Sequence, residues 1–162
     1  MQPLLILQAL VLLMLANGTP VVAKDIGGNR FAAALDGGAK FIDGRPLFGS
    51  SKTVRGIFLS ILVTSVFAPI IGLTWRIGAL VAIVAMAGDL LSSFTKRRMN
   101  LPVSAKATFL DQIPESLFPL LACRKVLPLT AVDIVAAVVL FFLGELLLSR
   151  LLYYFHLRDR PY

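Results

Sequence analysis

The stretch GDLLSSFTKRRMNLPVSAKATFLDQ, residues 88–112, lies between two apolar runs, and the interpretation of the whole chain depends on it. It starts inside an apolar run with Asp89, at a place where a membrane helix normally carries no charge. If the first part is helical, residues three, four and seven positions apart share one face. The side chains at these spacings from Asp89 are Ser92, Ser93 and Lys96. A carboxylate, two hydroxyls and a cation beside a membrane are suited to binding a metal ion and a phosphate.

The composition indicates a membrane protein. Of 162 residues, 57% are hydrophobic and 15% are charged, and the mean hydropathy is +0.84, whereas soluble chains are roughly 25% charged. The length predicts a single domain over residues 1–162. The net charge of +7 comes from basic residues between apolar runs, where they set topology and attract anionic headgroups. We therefore expect a membrane as partner and no nucleic acid.

Apolar runs predict an all-α integral membrane fold with about five transmembrane helices and two long loops. The runs are residues 3–16, 56–73, 77–94, 113–123 and 131–155. The first is shorter than the roughly 20 residues of a full span, so it must thin the bilayer or extend beyond Asn17. It lacks the basic start of a cleaved signal peptide. The fourth is short and contains Pro114 and Pro119, which predicts a broken helix at membrane depth. Thr130 and Asp133 predict a capping box before the last helix.

Polar residues 17–55 and 95–110 predict the two loops. Glycine and proline steps in the first loop argue against a long helix there, and loops of this length are usually functional. Five spans place both loops on one side with most of the Lys and Arg, while Arg76, Arg124 and Lys125 lie on the other. The positive-inside rule then predicts a multi-pass protein of the cell membrane, with cytoplasmic loops and the N-terminus outside.

Asp89 and Asp111 together predict a magnesium site. Two carboxylates, water and substrate phosphate oxygens form a typical Mg²⁺ site, and no His pair or Cys cluster suits a softer metal. The alternative is an ordinary ion pair of Asp89 with Lys96 or Arg97, because a charge near the membrane edge costs less than the roughly 2.5–3.5 kcal/mol at the centre. The lone Cys123 is expected to be a small buried hydrophobe.

Two basic clusters stand at the ends of neighbouring helices. Lys96, Arg97 and Arg98 taken alone would be a cytoplasmic anchor of the third helix. The segment GSSKTVRG, residues 49–56, resembles a phosphate loop but lacks its spacing and its preceding strand, so a P-loop is rejected. Together the two clusters could neutralise a triphosphate.

Two titratable residues lie in or after the last run. Glu145 is near the middle of the predicted helix, where a charge costs most, so it should be neutral or paired. With Gly144 beside it, a helix-packing contact is favoured over a role in lipid binding. His156 follows the helix and is expected at the membrane interface.

Four motifs in order resemble the CDP-archaeol synthase family, which is related to the phosphatidate cytidylyltransferases. They are LANGTPV (15–21), LDGGAKFIDGRPLFGSSKTVRG (35–56), GDLLSSFTKRR (88–98) and FLDQ (109–112). Each motif is weak alone, but four in this order on one side of a membrane are specific. The resemblance implies a small multi-helix membrane enzyme that depends on Mg²⁺. It would join CTP to a lipid phosphate and give a CDP-lipid and pyrophosphate.

The resemblance also implies site residues. Asp89 and Asp111 would hold Mg²⁺ on the triphosphate, and Lys96 would complete the catalytic set. Because a phosphate monoester is already a competent nucleophile, positioning and charge stabilisation suffice, without a covalent intermediate. The residues expected to bind substrate are Lys52, Thr53, Arg55, Ser92, Ser93, Arg97, Arg98 and Gln112. Within this set, Lys52, Arg55 and Arg97, with Lys96, would grip the phosphates.

Departures from the family pattern leave the lipid open. The segment IPESLFPL that follows FLDQ carries two prolines and Glu115 where a smoother apolar helix is expected, and no glycine separates KRR from FLDQ. Archaeol phosphate, another isoprenoid phosphate and phosphatidate are the candidate substrates, and a homodimer is compatible with the sequence.

The main alternative is a non-catalytic basic membrane protein that binds anionic lipid or a partner helix. It explains the charge and the spans but not the carboxylates at 89 and 111. A CDP-alcohol phosphotransferase would need a D-G-x-x-A-R motif, which DGGAKF and DGRPLF do not supply.

Overall fold

The computed structural model describes residues 1–28, 30, 32–103, 105 and 107–154. These residues form five α-helices and one short 3₁₀ helix. The elements are α1 (Pro3–Gly27), α2 (Val54–Phe67), the 3₁₀ helix (Ala68–Ile71), α3 (Trp75–Arg98), α4 (Gln112–Cys123) and α5 (Ala131–Tyr154). Within the described ranges, extended pairing is limited to two isolated antiparallel bridges. The predicted all-α class is confirmed.

Four helical segments are long and apolar enough to cross a membrane: α1, α2 with its 3₁₀ extension, α3 and α5 up to Arg150. The predicted multi-pass membrane protein is therefore confirmed. The fourth predicted span is α4, whose 12 residues reach only about 18 Å at 1.5 Å per residue. Its prolines do not break it, because Pro114 lies in the first turn, where no N–H is needed, and the helix continues through Pro119.

Of the two alternatives for the first run, extension beyond Asn17 is the one observed, and the prediction that the loop starts at residue 17 was wrong. The helix continues past Ala16 to Gly27, so residues 17–27 are helical and the first loop comprises residues 28–53. Asn17 and Thr19, which suggested a loop, donate hydrogen bonds to carbonyls one turn earlier, at 3.1 and 2.6 Å. Short polar side chains that bond back in this way are tolerated inside a helix.

Pro20 lies inside α1, and its cost is offset by a neighbouring helix. Proline has no N–H to donate to the carbonyl four residues earlier, which here belongs to Ala16. The hydroxyl of Ser60 on α2 donates to that carbonyl oxygen at 2.7 Å, and both residues are fully buried. The carbonyl is therefore satisfied in a place where water could not reach it.

The starts of α1, α3 and α5 lie together at one end of the helical bundle. The Gln2 backbone N–H donates to Asp133 Oδ1 at 3.0 Å, so α1 and α5 begin side by side. Asp133 also closes the predicted capping box: its Oδ2 accepts the Thr130 backbone N–H at 3.0 Å, and its own backbone N–H donates to the Thr130 hydroxyl oxygen at 3.2 Å. Gln8 Nε2 donates to the Ile71 carbonyl at 2.6 Å, so the link before α3 lies at the same end.

The other end of the bundle carries both loops, because Arg98 at the end of α3 contacts Asp43 and Pro46 of the first loop. The second loop is shorter than predicted, because α3 includes Lys96, Arg97 and Arg98 and the loop comprises residues 99–111. Asp89 is therefore nine residues from the end of α3, about 13 Å along its axis. The predicted helix end Phe155 and the expected interfacial residue His156 lie outside the described residues.

Helix α1 is central and packs against α2, α3, α4 and α5, while α3 also packs against α2 and α4. The buried apolar core includes Leu12 and Leu13 of α1, Ala137 and Phe141 of α5, and Cys123 at the end of α4. Cys123 is 1% exposed, as expected for a small hydrophobe.

Candidate active site

The first loop is folded around the carboxylate of Asp36. This group accepts backbone N–H bonds from Gly38 at 3.0 Å and from Phe48 and Gly49 at 2.9 Å each. Burial by itself would raise the pKa of Asp36, but these backbone bonds together lower the pKa below its usual value. The loop thereby returns to the start of α2 and brings Lys52 with it.

Arg98 fastens the first loop to the end of α3. Its Nη1 pairs with Asp43 Oδ1 at 2.7 Å, and its Nη2 donates to the Pro46 carbonyl at 2.6 Å. The guanidinium also lies over the rings of Phe41 and Phe94, at 4.9 and 4.8 Å. The predicted role of Arg98 in substrate binding stays a prediction, and these contacts show that it also holds the loop in place.

Lys52 and Asp89 form the ion pair that joins the two motif-bearing segments. Lys52 Nζ contacts both carboxylate oxygens of Asp89. Their side chains are 21% and 18% exposed, so the pair is screened from most of the solvent but can still be reached. Asp89 thus has a basic partner from the first loop, and not Lys96 or Arg97 as the alternative interpretation proposed.

Glu115 of α4 is a site residue that the sequence analysis did not assign. It is 8% exposed, and its carboxyl group lies close enough to Asp89 to interact with it, with Lys52 and Glu145 also near enough to affect it. Two carboxyl groups in contact repel each other unless a proton or a cation lies between them. The sequence contained one indication, because Glu115 is four residues after Asp111 and shares its helix face.

Gly88 allows α4 to lie close enough to α3 for Glu115 to reach Asp89. A Cβ atom at Gly88 would lie 2.4 Å from the Pro114 carbonyl oxygen and 3.0 Å from the Glu115 nitrogen. Any other residue would push α4 away from α3, because these neighbours are backbone atoms. The glycine that precedes Asp89 therefore sets the distance between Asp89 and Glu115.

A second ion pair joins α3 to the start of α4. Lys96 Nζ lies 2.7 Å from Asp111 Oδ1, with side chains that are 9% and 17% exposed. Lys96 also donates to the Ala105 carbonyl at 2.9 Å, and Asp111 Oδ2 accepts the Ala107 N–H at 3.1 Å. Lys96 follows Asp89 by two helical turns, so both ion pairs use the same face of α3.

The remaining predicted binding residues have local roles. Thr53 caps α2 by accepting the Gly56 N–H at 3.1 Å, and Ser92 Oγ donates to the Asp89 carbonyl at 2.9 Å. Ser93 is buried beside it. Gln112 Oε1 accepts the Phe109 N–H at 2.9 Å, which supports a turn in which Phe109 has a φ of 69°.

Arg55 lies apart from the two ion pairs. Its guanidinium donates to the carbonyls of Gly28, at 3.0 Å, and of Arg30, just beyond the end of α1. A Cβ atom at Gly27 would collide with it. Its predicted contact with phosphate stays a prediction.

Chemically, the carboxylates fit a hard cation. Asp89, Glu115 and Asp111 offer only oxygen ligands, which Mg²⁺ prefers, and the contact between Asp89 and Glu115 favours a positive charge beside them. The Lys52 ammonium group supplies that charge beside Asp89, and the Lys96 ammonium group pairs with Asp111. Among the residues described, no three His, Cys, Asp or Glu side chains are arranged as a ready-made metal cage, so substrate oxygens would have to complete the coordination.

Comparison with known proteins gives concordant results. The family model described as CarS-like, CDP-archaeol synthase, matches residues 73–162. The CDP-archaeol synthase of Hyperthermus butylicus is 38% identical over 117 residues, which cover 68% of this chain and 67% of the relative. That of Pyrobaculum calidifontis is 36% identical over 130 residues, 77% of each chain.

A solved structure agrees with the fold as well. It is described as an intramembrane enzyme for archaeal membrane lipid biosynthesis. It superimposes with a TM-score of 0.77 at 29% identity and covers 88% of this chain and 90% of its own. The predicted resemblance and the prediction of a nucleotidyltransferase-type enzyme are confirmed. The chain belongs to the CDP-archaeol synthase family of membrane enzymes.

Proposed function

We propose that this chain transfers the cytidylyl group of CTP to the phosphate of a membrane lipid, giving a CDP-lipid and pyrophosphate. The observation that carries the proposal is the ion pair between Lys52 and Asp89, beside Glu115. It joins two separate motifs of the family at the end of the bundle that carries both loops. The names of the relatives, CDP-archaeol synthase, support the same reaction.

The roles follow from charge. Asp89 and Asp111 would hold Mg²⁺, with Glu115 in reach of Asp89, and the ion would offset the negative charge of the triphosphate. Once the carboxylates have that partner, Lys52 and Lys96 are free to contact phosphate oxygens. Both ammonium groups are largely buried, where their electrostatic effect on developing charge is greater than in water.

The reaction needs no covalent intermediate. An oxygen of the lipid phosphate attacks the α-phosphorus of CTP and forms the new P–O bond. The bond between that phosphorus and the oxygen bridging to the β-phosphate breaks, and its electron pair leaves on pyrophosphate. Lys52 and Lys96 stabilise the charge that develops there.

The lipid reaches the site from the bilayer. Asp89 lies on α3 about 13 Å from the end that carries both loops, and the lipid phosphate would reach it from the surrounding headgroups. An archaeol phosphate is the first candidate, following the relatives' name, and another isoprenoid phosphate and phosphatidate are the alternatives. The positive-inside rule favours cytoplasmic loops and an outside N-terminus, which gives the site access to soluble CTP.

The test is a product assay on purified full-length protein. It is incubated with CTP, Mg²⁺ and each lipid phosphate in turn, and CDP-lipid is read by mass spectrometry and pyrophosphate by a coupled assay. We expect one CDP-lipid, whose formation requires Mg²⁺. Lys125→Gln, an exposed residue at the opposite end of the bundle, is the matched control and should retain activity. No product from any lipid would favour the non-catalytic anionic-lipid binder.

A further inference from the structure

The first loop contains a short hairpin with an apolar tip. It comprises residues 39–47, called the tip hairpin below, and the Phe41 N–H donates to the Arg45 carbonyl at 2.8 Å. Gly44 turns the chain between them with a φ of 75°. The side chain of Ile42 is 96% exposed, more than any other large apolar side chain among the described residues, and Phe41 beside it is also exposed. The hairpin therefore presents two adjacent apolar side chains outside the core.

The tip hairpin is tied to the end of α3 from both sides. Arg98 of α3 bonds to Asp43 and Pro46 of the hairpin. In return, Arg45 Nη1 donates to the carbonyls of Arg97 and Arg98. The position of the tip is therefore set by α3, and the surroundings of this end of α3 decide what the tip contacts.

The side of α3 that holds the hairpin faces away from the helical bundle. The ring of Phe41 lies edge-on to that of Phe94, with 5.2 Å between the ring centroids. Phe94 shares a face of α3 with Ile83 and Leu91, and both of these side chains are exposed. Because α3 is one of the membrane-spanning segments, its uncovered apolar side chains face lipid. The tip hairpin therefore continues the lipid-facing surface of α3.

The two last arginines of α3 distinguish its two sides. Successive helix residues point about 100° apart. Arg97 is 4% exposed, and its Nη2 donates to the Pro102 carbonyl at 2.8 Å, whereas Arg98 lies over the rings of Phe41 and Phe94. Arg98 and the hairpin are thus on the lipid side, while Arg97 is turned away from it. The predicted contact of Arg97 with phosphate stays a prediction.

The length of α3 gives the depth of the hairpin in the bilayer. Trp75 begins the helix and is exposed, a position typical of aromatic residues at a membrane surface. At 1.5 Å per residue, Phe94 lies about 28 Å further along the helix, and the hydrocarbon core of a bilayer is about 30 Å thick. Phe94 and the Phe41 ring packed against it therefore lie at the opposite edge of the hydrocarbon core, with Ile42 next to them.

We propose that the tip hairpin inserts into the interfacial layer of the bilayer, with Phe41 and Ile42 at the boundary between headgroups and acyl chains. The exposed Lys40 beside the tip lies among anionic headgroups, which attract basic side chains near a membrane. Asp43, the acidic residue of the tip, is paired with Arg98 at 2.7 Å, so it does not repel these headgroups. The inference goes beyond the proposed function, because it concerns how the first loop meets the membrane.

The experiment measures the depth of the tip with spin labels in nanodiscs that contain an anionic phospholipid. Full-length protein with Cys123→Ala carries one label at a time, at Ile42→Cys, at Leu91→Cys on the lipid-facing surface of α3, or at Ser50→Cys. Ser50 is an exposed residue of the same loop outside the tip hairpin. Power saturation compares the accessibility of each label to oxygen, which concentrates among acyl chains, and to a water-soluble nickel complex.

We expect the ratio of oxygen to nickel accessibility at position 42 to be well above the ratio at position 50 and to approach that at position 91. Equal ratios at positions 42 and 50 would place the tip in water and overturn the inference. Low accessibility of position 42 to both reagents would place the tip in a contact with a second copy of the chain, which also overturns the inference.

A measurement on wild-type protein avoids any effect of the substitutions. Wild type in nanodiscs with a phospholipid that carries a diazirine at the top of its acyl chain is irradiated, and tandem mass spectrometry locates the lipid adducts. We expect adducts on Phe41 and Ile42 and none on Ser50. Adducts on Leu91 without any on Phe41 or Ile42 would overturn the inference. Both measurements are made without CTP, so their outcome is independent of the proposed function.

Discussion

Lys52 and Asp89 are 37 residues apart in the chain, yet the lysine ammonium contacts both oxygens of the aspartate carboxylate. Lys52 lies near the end of the first loop and Asp89 lies within α3, so this ion pair can form only when the loop is folded against the helical bundle. It also gives Asp89 a positive partner in a place where a lone carboxylate would be costly.

We expect Asp89→Asn and Asp111→Asn to abolish CDP-lipid formation in folded protein, because both remove a carboxylate at the proposed metal site without changing side-chain size.

Lys52→Met should lower the rate of CDP-lipid formation by about 10²–10³-fold, as the loss of one group that stabilises developing negative charge does. Initial rates at saturating CTP measure the effect, and size-exclusion chromatography reports the fold. Wild-type rates in both aspartate variants would refute the metal assignment.

Glu115→Gln tests the carboxyl group that touches Asp89. If Glu115 helps to bind the cation, the apparent affinity for Mg²⁺ should fall by about 10–100-fold, the range seen when groups that support a metal ligand are removed. A titration of activity against Mg²⁺ gives this value. Asp25→Asn, an exposed carboxylate near the end of α1, is the control and should leave the Mg²⁺ titration unchanged. Glu145→Gln should affect stability or lipid preference more than Mg²⁺ dependence. An unchanged Mg²⁺ titration for Glu115→Gln would make its role purely structural.

Glu115 also shows where sequence reasoning reached its limit. The helices, the carboxylates at 89 and 111 and the common end for both loops follow from hydropathy and spacing, which are local properties. The contact between Glu115 and Asp89 depends on how closely α4 approaches α3, and that distance is set by Gly88 against the Pro114 backbone. A glycine inside an apolar run does not reveal which backbone it will meet.

The sequence could not show where α1 ends for a related reason. Asn17, Gly18 and Pro20 are residues that normally end helices, and their local preference predicts a loop. The hydroxyl that satisfies the orphaned Ala16 carbonyl belongs to Ser60, 44 residues later. Tertiary structure overrides local preference here, and only the packed arrangement of α1 and α2 could show it.

Ser60→Ala should therefore destabilise the protein by about 1–3 kcal/mol, the cost of leaving a buried polar group unsatisfied. Ser65→Ala is the control, because the Ser65 hydroxyl bonds to a carbonyl of its own helix at 2.6 Å, where the backbone already provides a donor. Thermal unfolding in detergent measures both. Pro20→Ala restores an N–H for Ala16, so Ser60→Ala should cost less in that background. Equal costs in both backgrounds would contradict the explanation.

The pH dependence of the first loop follows from Asp36. Its pKa in the folded protein is lowered below the ordinary value of 3.8 by backbone hydrogen bonds that outweigh the effect of burial. A lowered pKa means that the carboxylate stabilises the loop fully above pH 3.8, and that this stability is lost as the pH falls through the folded-state pKa. Hydrogen exchange of the Phe48 and Gly49 amides should therefore be slow at neutral pH in wild type and faster in Asp36→Asn.

The difference between the two proteins should shrink in acid, after correction for the intrinsic pH dependence of exchange, because protonation removes the same acceptor charge as the substitution. Asp25→Asn, an exposed residue near the end of α1, should match wild type at every pH. If Lys52 reaches Asp89 only when the loop is folded around Asp36, Asp36→Asn should also lower CDP-lipid formation at neutral pH. If Asp36→Asn lowers CDP-lipid formation while the Phe48 and Gly49 amides stay protected from exchange, then Asp36 acts on the substrate and not through the fold of the loop.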